Sequence, residues 1–283
     1  MLSNKTRKRI RRSAFQMLLQ IMLLAIAAMY IVPLLWMLFT SLKSLQEIQM
    51  GRSFLPVEYH FENFPVALQT IPFLKYTGNT IFIVTVSTIG TVLSASIVAY
   101  SFARLRWPGR DVLFVVLLST LMLPSQVLQV QNFILFNRLN WIDTYLPLTV
   151  PFFFNAGAFN IFLLRQFYKG VPMELSEAAK IDGCGEFRLW IEIVSPLCKP
   201  IIAAIAVFAF MGGWNDFFNP LIYLRSDHLK TLALGLRDFQ QQRGTQWNYM
   251  MAVSLISMMP TLILFFSFQR YFVEGLTTGA VKG

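Results

Sequence analysis

Long apolar runs without any charged residue constrain this chain more than any other feature. The first run covers residues 17–39, which is 23 residues, and the run at residues 80–102 has the same length. A helix needs about 20 apolar residues to cross the hydrocarbon core of a bilayer. In lipid the backbone polar groups must bond within the structure, so a spanning segment of this kind folds as a helix.

Similar apolar segments recur along the whole chain. The composition agrees with membrane residence, because 55% of the residues are hydrophobic and only 13% are charged, against about a quarter charged in soluble domains. No linker or low-complexity tract divides the chain. The sequence therefore predicts an all-α integral membrane protein with one domain, residues 1–283, and six transmembrane helices. The predicted spans lie at about residues 17–39, 80–102, 112–130, 146–167, 201–224 and 250–268.

The basic residues are distributed unequally between the connections of these spans. If connections alternate across the membrane, 16 of the 24 Lys and Arg residues lie on the side of the amino terminus. Cytoplasmic connections are enriched in Lys and Arg, so both termini are predicted to be cytoplasmic. The first span exceeds the apolar region of a signal peptide and is interpreted as a retained anchor. Topology accounts for the net charge of +10, and we expect the lipid bilayer and no nucleic acid as a partner.

A charged insertion at residues 168–200 separates the fourth and fifth predicted spans on the cytoplasmic side. Pro172 suits the first turn of a short helix, and Gly183 is expected to end that helix. A second helix is predicted from about Glu186, in which Arg188 and Glu192 form an i, i+4 pair. Its apolar residues recur at helical spacing and are expected to share the opposite face: Phe187, Trp190, Ile191 and Val194.

Two interpretations of this helix pair are compatible with its patterning. Ala178 and Ala179 leave little side chain between the backbone and a neighbour, which suits insertion of the first helix into the groove of a partner protein. Alternatively, the two helices lie on lipid headgroups as an interfacial pair.

The insertion closely resembles the EAA motif of bacterial ATP-binding-cassette (ABC) import permeases. The matching positions are Glu177, Ala178, Ala179, Asp182, Gly183, Ile193 and Pro196. Ser195 stands where leucine is usual and Cys184 where alanine is frequent, and neither change affects the turn. In that family the loop is the coupling helix, which sits in a cleft of the ATP-hydrolysing subunit. The resemblance therefore implies ATPase coupling by Glu177, Ala178, Ala179, Asp182, Gly183, Phe187 and Pro196.

Residues 214–220 and 269–283 are similar to the shorter permease subunit of maltose-type carbohydrate importers. This resemblance covers the whole chain and implies the ABC type I importer permease fold, the bacterial cytoplasmic membrane and an oligosaccharide or disaccharide cargo. The implied partners are a second, longer permease subunit, two copies of an ABC ATPase and a lipid-anchored, extracytoplasmic sugar-binding protein. ATP and Mg²⁺ are expected on the ATPase and no cofactor on this chain, whose sequence has no phosphate-binding Gly-x-x-x-x-Gly-Lys-Ser/Thr loop.

Polar residues at membrane depth are candidates for a sugar path, because such side chains usually face the interior or a cavity. The candidates are Gln126, Gln129, Asn155, Trp214, Asn215 and Asp216. Hydrogen bonds between helices explain each of them equally well. At the carboxyl terminus, the resemblance implies that Thr278, Gly279 and Lys282 contact the ATPase; the alternative is a short solvated tail.

Two other classes of membrane protein fit the sequence less well. Secondary transporters tend to carry intramembrane carboxylates or histidines and internal repeats, whereas Asp216 is the only acidic residue well inside a predicted span. A membrane enzyme requires a constellation such as paired buried carboxylates, and the sequence pattern contains none. We therefore expect a permease subunit without catalytic or metal-binding residues.

Overall fold

The computed structural model describes the backbone of residues 4–51, 53–241 and 244–280, and side chains between residues 13 and 269 except at 14, 52, 125 and 241–243. Within this part the regular structure is helical, apart from a hairpin of two-residue strands, β1 Gln240–Gln241 and β2 Gly244–Thr245. The α-helices of the first half are α1 Asn4–Ser41, α2 Leu45–Met50, α3 Asn63–Thr70, α4 Phe73–Arg104, α5 Arg110–Ser119, α6 Gln129–Arg138 and α7 Leu146–Thr149. The later ones are α8 Ala158–Gly170, α9 Met173–Ile181, α10 Glu186–Arg188, α11 Ser195–Leu197, α12 Lys199–Trp214, α13 Phe218–Tyr223, α14 Leu232–Gly235 and α15 Trp247–Ala280.

Four helical segments are long and apolar enough to cross a membrane: Phe15–Ser41, Phe73–Arg104, Leu146–Gly170 and Trp247–Gln269. Two further pairs qualify only if each pair is one bent span. They are Arg110–Met122 with Gln126–Arg138, bent by 90°, and Glu186–Leu197 with Lys199–Trp214, bent by 85°. The all-α fold is confirmed, with four to six candidate spans among the described residues. The count of six and the cytoplasmic termini stay predictions.

The third and fifth predicted spans differ from the straight helices expected from hydropathy. In the third, α5 ends at Ser119, 3₁₀ turns follow, and Pro124 lies between them, where a proline nitrogen has no hydrogen to donate. In the fifth, α12 ends at Trp214 and α13 begins at Phe218. The Asp216 carboxylate accepts a hydrogen bond of 3.1 Å from the backbone amide of Asn219, in the first turn of α13. A polar side chain that satisfies a helix start favours a break at that point.

The described chain divides into two compact units. One contains residues 1–71 and 238–256, and the other contains residues 72–237 and 257–283. In the first unit the buried Asn63 joins distant segments, because its amide group donates to the carbonyls of Ser41 and Lys43 at 2.8 and 2.9 Å. The amide group of Asn248 in turn donates to the Asn63 Oδ1 at 3.3 Å. Asn63 thus holds the end of α1 and the start of α15 against α3.

Helix α4 is the central helix of the second unit, where it packs against α8 and α12. Two glycines allow close approach to it. A β-carbon at Gly90 would lie 2.8 Å from the Phe153 ring and 3.1 Å from the backbone of Phe152, and one at Gly213 would lie 3.2 Å from Val84. These contacts are tighter than those of an ordinary β-carbon, so each of the two glycines lets its backbone lie close against atoms of the neighbouring segment.

Candidate functional site

Residues 171–197, named here the elbow, form two helical arms joined by a tight turn. The first arm, α9, ends in a Schellman motif: the amide of Cys184 donates to the carbonyl of Ala179 at 2.9 Å, and the amide of Gly183 donates to Lys180 at 3.0 Å. Gly183 has φ of +81°, a conformation that favours glycine. The prediction that Gly183 ends the first helix is confirmed.

The second arm runs without a gap through α10, a π-helix at Leu189–Val194 and α11. In a π-helix each backbone amide bonds to the carbonyl five residues earlier, instead of four residues earlier as in an α-helix. This wider turn changes which residues share a face. Trp190 and Val194 are buried, whereas Phe187 and Ile191 are 70% and 49% exposed. The four residues thus differ in burial, while the rings of Phe187 and Trp190 lie 5.3 Å apart, as neighbours on one face do.

The predicted pair on this arm is confirmed. Arg188 Nε lies 2.7 Å from Glu192 Oε2, and both side chains are exposed. A pair of this kind is solvated and adds little stability.

Two large apolar side chains of the elbow are exposed beside its turn. Ile181 is 87% exposed and Phe187 is 70% exposed. Of the residues assigned to coupling by resemblance, Glu177, Ala178, Asp182 and Gly183 are also exposed, Ala179 is buried, and Pro196 is half-buried in the second arm. The elbow thus brings the motif together as one surface feature, with charged residues next to apolar ones.

A pocket of about 180 Å³, lined by both polar and apolar residues, lies in the second unit, beside the breaks of the third and fifth predicted spans. Three of the predicted path residues line it: Gln129, Asn155 and Asp216. The other polar lining residues come from α4, α6, α13 and the segment after it: Thr80, Ser87, Asn132, Asn219, Tyr223 and Thr231. The pocket therefore offers mostly neutral hydrogen-bonding groups and a single carboxylate.

A chain of hydrogen bonds joins the two broken spans at this pocket. Asn219 Nδ2 donates to Asp216 Oδ2 at 2.7 Å, and Gln129 Nε2 donates to Asn219 Oδ1 at 3.0 Å. The hydroxyl of Tyr223 donates to Gln129 Oε1 at 3.2 Å. The start of α6 and both ends of α13 are thereby tied together, so the geometry of the breaks and that of the pocket are linked.

The remaining path candidates lie elsewhere. Trp214 is buried and its ring nitrogen donates to the carbonyl of Ser257 at 2.9 Å, which is a bond between helices. Asn215 is bonded back to the carbonyl of Met211 within α12 at 2.8 Å. Gln126 lies in the 3₁₀ turn before α6 and does not line the pocket.

Sequence reasoning had little means of finding the other lining residues. Asn219 follows Asp216 at a spacing of three, which is a local signal, but Thr80, Ser87 and Tyr223 are ordinary residues of apolar helices. Of the carboxyl-terminal candidates, Thr278 and Gly279 fall in the last turns of α15 with side chains outside the described residues, and Lys282 lies outside them altogether. In the described part of the chain, no three His, Cys, Asp or Glu residues are arranged to hold a metal ion.

Known proteins with related sequences are membrane components of import systems. The chain is 30% identical to the arabinooligosaccharides transport system permease protein AraQ of Bacillus subtilis, over 96% of this chain and 97% of that one. It is likewise 30% identical to the trehalose/maltose transport system permease protein MalG of Thermococcus litoralis, over 92% and 94% of the two chains. The sn-glycerol-3-phosphate permease protein UgpE of Pectobacterium atrosepticum is 35% identical over 73% of this chain and 74% of its own.

The fold also has a solved counterpart. A chain from the crystal structure of a bacterial ABC transporter that imports the acidic polysaccharide alginate superposes with a TM-score of 0.82 at 22% identity, covering 96% of this chain and 99% of that one. Residues 91–278 match the family described as "binding-protein-dependent transport system inner membrane component". These residues include both the elbow and the pocket-forming helix breaks. The chain therefore belongs to this family, as a non-enzymatic permease component of the bacterial cytoplasmic membrane.

Proposed function

We propose that this chain is the permease subunit of an ATP-driven importer that translocates a carbohydrate, such as an oligosaccharide or disaccharide, across the cytoplasmic membrane. The named cargoes of its relatives support a carbohydrate: arabinooligosaccharides, trehalose or maltose, and diacetylchitobiose. Glycerol phosphate is the cargo named for other relatives. The pocket favours a neutral sugar over a phosphate, since Asp216, a carboxylate, is the one charged side chain among the described residues that line it.

The proposed topology has six spans with both termini in the cytoplasm. The unequal distribution of basic residues supports this orientation. Arg110–Met122 with Gln126–Arg138 counts as one bent span. Helix α12 with α13 counts as the fifth span, whereas Glu186–Leu197 belongs to the elbow on the cytoplasmic side. Labelling of cysteines introduced at Arg106 and Val57, on the predicted inner and outer sides, from either face of the membrane tests this orientation.

The proposed assembly pairs this chain with a longer permease subunit, two copies of an ABC ATPase and a lipid-anchored, extracytoplasmic sugar-binding protein. The family name supports the binding protein, and the EAA-type elbow supports the ATPase, on which ATP and Mg²⁺ bind. Thr278, Gly279 and Lys282 at the carboxyl terminus are proposed to reach the same ATPase.

The elbow is proposed to convert ATPase closure into a change of the membrane helices between inward-open and outward-open states. The observation that carries this proposal is the exposure of Ile181 and Phe187 beside the Gly183 turn. Large apolar side chains at the polar end of a membrane protein mark a binding surface for another protein. A partner that binds this surface differently in its two nucleotide states biases the two-state equilibrium.

The decisive experiment changes the apolar surface without changing the turn. Ile181→Asn places a polar amide where a partner groove is proposed, and we expect loss of ATPase co-purification and of sugar uptake in proteoliposomes. Val57→Asn is the matched control, because Val57 is 78% exposed in the other unit. Equal ATPase recovery with the two variants would contradict the coupling role of the elbow.

The pocket is proposed as this subunit's part of the sugar path. Its amide, hydroxyl and carboxylate groups match the hydrogen-bonding capacity of sugar hydroxyl groups. Competition for uptake of a labelled disaccharide, by unlabelled disaccharides and by glycerol phosphate, separates the two cargo classes named among the relatives. Inhibition by glycerol phosphate alone would overturn the carbohydrate assignment.

A further inference from the structure

Three polar residues form a line along the elbow end of α4: Ser96, Tyr100 and Arg104. A spacing of four residues places side chains on the same face of a helix. All three are buried, with 4%, 6% and 9% exposure. These three residues are named here the α4 stripe. A buried polar side chain is costly unless it is hydrogen-bonded, so the hydrogen-bond partners of the stripe show which parts of the elbow it fixes in place.

Arg104 holds the start of the first arm. Its Nη2 donates to the backbone carbonyl of Val171 at 2.6 Å, and its Nη1 lies 2.7 Å from the sulfur of Met173. Val171 immediately precedes the Pro172 that starts α9. A planar guanidinium with two directed contacts fixes both the position and the direction of the chain that enters the arm.

Tyr100 holds the junction of the two arms. Its hydroxyl donates to Glu186 Oε2 at 2.7 Å, while Lys180 Nζ lies 2.5 Å from Glu186 Oε1. Lys180 is in the first arm and Glu186 begins the second, so this carboxylate closes a bridge across the Gly183 turn. Hydrogen bonds to a charged acceptor are about twice as strong as those between neutral groups.

Ser96 holds the second arm. Its Oγ accepts a hydrogen bond from the indole nitrogen of Trp190 at 2.8 Å and shares another with the hydroxyl of Tyr168 at 2.6 Å. The Tyr168 hydroxyl lies 3.1 Å from Ser195 Oγ, further along the same arm. Tyr168 is completely buried, so water does not compete for these bonds.

We infer that Ser96, Tyr100 and Arg104 are positioning residues that make the elbow move together with α4. The inference rests on the proposed coupling role of the elbow. Helix α4 is an unbroken run of 32 residues, and its other half contributes Thr80 and Ser87 to the pocket. Movement imposed on the elbow is therefore carried along one helix to the pocket wall.

The test removes one hydroxyl from the stripe in the complete transporter, reconstituted with its partner permease, ATPase and binding protein. Tyr100→Phe keeps the ring and loses the bond to Glu186. We expect the amount of sugar imported per ATP hydrolysed to fall by roughly tenfold, which corresponds to the loss of one hydrogen bond to a charged group. The yield of assembled complex and its ATPase rate should stay unchanged. Tyr145→Phe is the matched control, remote from the elbow, and should retain normal coupling.

A double-substitution cycle separates transmission from general stabilisation. Glu186→Ala alone should uncouple at least as strongly, because it also removes the bridge to Lys180. Adding Tyr100→Phe to it should cause no further loss, because the link between Tyr100 and Glu186 is already absent. Additive losses, or parallel losses of uptake, ATPase rate and assembled complex, would overturn the inference.

A comparison with Ile181→Asn separates this inference from the proposed function. If Ile181→Asn abolishes ATPase binding while Tyr100→Phe imports a normal amount of sugar per ATP, the role of the α4 stripe is refuted and the coupling role of the elbow stands. If both variants bind and couple normally, the proposed coupling role itself fails.

Discussion

The elbow and the pocket are built in opposite ways from the same chain. The elbow is one continuous stretch, residues 171–197, whose turn is closed by bonds between residues three and five positions apart. The pocket collects side chains from helices scattered along the second unit, and its bonds join residues 90 and 94 positions apart, as Gln129 does with Asn219 and Tyr223. The elbow is thus a local structure and the pocket a product of tertiary packing.

This difference predicts how each region responds to substitution. A change in the elbow should act on the turn and on coupling, and leave the rest of the fold intact. A change in the pocket should act through packing, because lining residues such as Gln129 are held by distant partners. Three matched pairs of variants and one single variant sharpen this comparison, from the largest expected effect to the smallest.

Gly90→Ala tests the packing that supports the pocket. Its methyl group would meet the Phe153 ring at 2.8 Å and the backbone of Phe152, a pocket residue, at 3.1 Å. Overpacking of this kind costs about 1–3 kcal/mol, so we expect a lower midpoint of thermal unfolding in detergent. Gly78→Ala on the same helix has open space around the added carbon and should be neutral or slightly stabilising, since alanine favours a helix. Equal midpoints for the two variants would contradict the close packing.

Gly183→Ala tests the elbow turn by itself. The φ of +81° is unfavourable for a residue with a β-carbon, at about 1–2 kcal/mol. We expect uptake in proteoliposomes to fall about tenfold and the unfolding midpoint to fall less than in Gly90→Ala, because an exposed turn relaxes locally more easily than a packed helix contact. Gly185→Ala is the control, since Gly185 has φ of −76° and no atom near its added carbon. A similar loss of uptake in both variants would show that the left-handed turn is not what matters.

Gln129→Leu tests the hydrogen bonds between the broken spans. It removes the bonds to Asn219 and to Tyr223, each worth about 1 kcal/mol. We expect the apparent KM for sugar to rise about fivefold while the sugar imported per ATP stays constant, which separates the pocket from the elbow. Gln131→Leu lies on the same helix outside the pocket and should leave the KM unchanged. A fall in the amount of sugar imported per ATP at a normal KM would show that Gln129 acts in coupling, as the elbow does, and not in sugar binding.

Asp143 tests a long-range contact next to the pocket helix α13, because its carboxylate accepts hydrogen bonds from the segment that follows that helix. Hydrogen bonds from the Ser226 hydroxyl and from the amides of Ser226 and Arg225 lower the pKa of Asp143 below its ordinary value of 3.8. Its stabilising effect is therefore complete above that ordinary value and is lost as the pH falls through the lowered pKa. Asp143→Asn tolerates the φ of 61° and should show a slightly lower unfolding midpoint at pH 7. The difference from the parent should shrink below about pH 4. A difference independent of pH would exclude the carboxylate as its cause.

The same contrast explains how much of the molecule could be predicted from the sequence. The turn of the elbow was predictable because Gly183 has a local role, closing a helix with a left-handed residue. The exposure of Phe187 and Ile191 was not predictable, because the spacing rule assumes an α-helix and the segment at Leu189–Val194 is a π-helix. The spacing of apolar residues does not show whether a segment forms an α-helix or a π-helix.

The helix breaks and the pocket were hidden for a different reason. Hydropathy measures the length of an apolar run and not the continuity of its helix, so the breaks after Ser119 and Trp214 lie inside runs that look uniform. The pocket forms where these breaks meet α4, which depends on distant packing. Gln129, Asn155 and Asp216 could be selected as polar residues at membrane depth, but Thr80 and Tyr223 could be identified only from their neighbours in space.

The π-helix of the second arm makes this segment sensitive to its length. Removing one residue from Leu189–Val194 would allow an ordinary α-helix to form. Every residue downstream would then be turned by about 100° relative to those upstream, and Ser195 would point away from Tyr168. Conservative replacements within this stretch should therefore be tolerated much better than single-residue deletions, and chains that share this geometry should keep the number of residues between Gly183 and Pro196 constant.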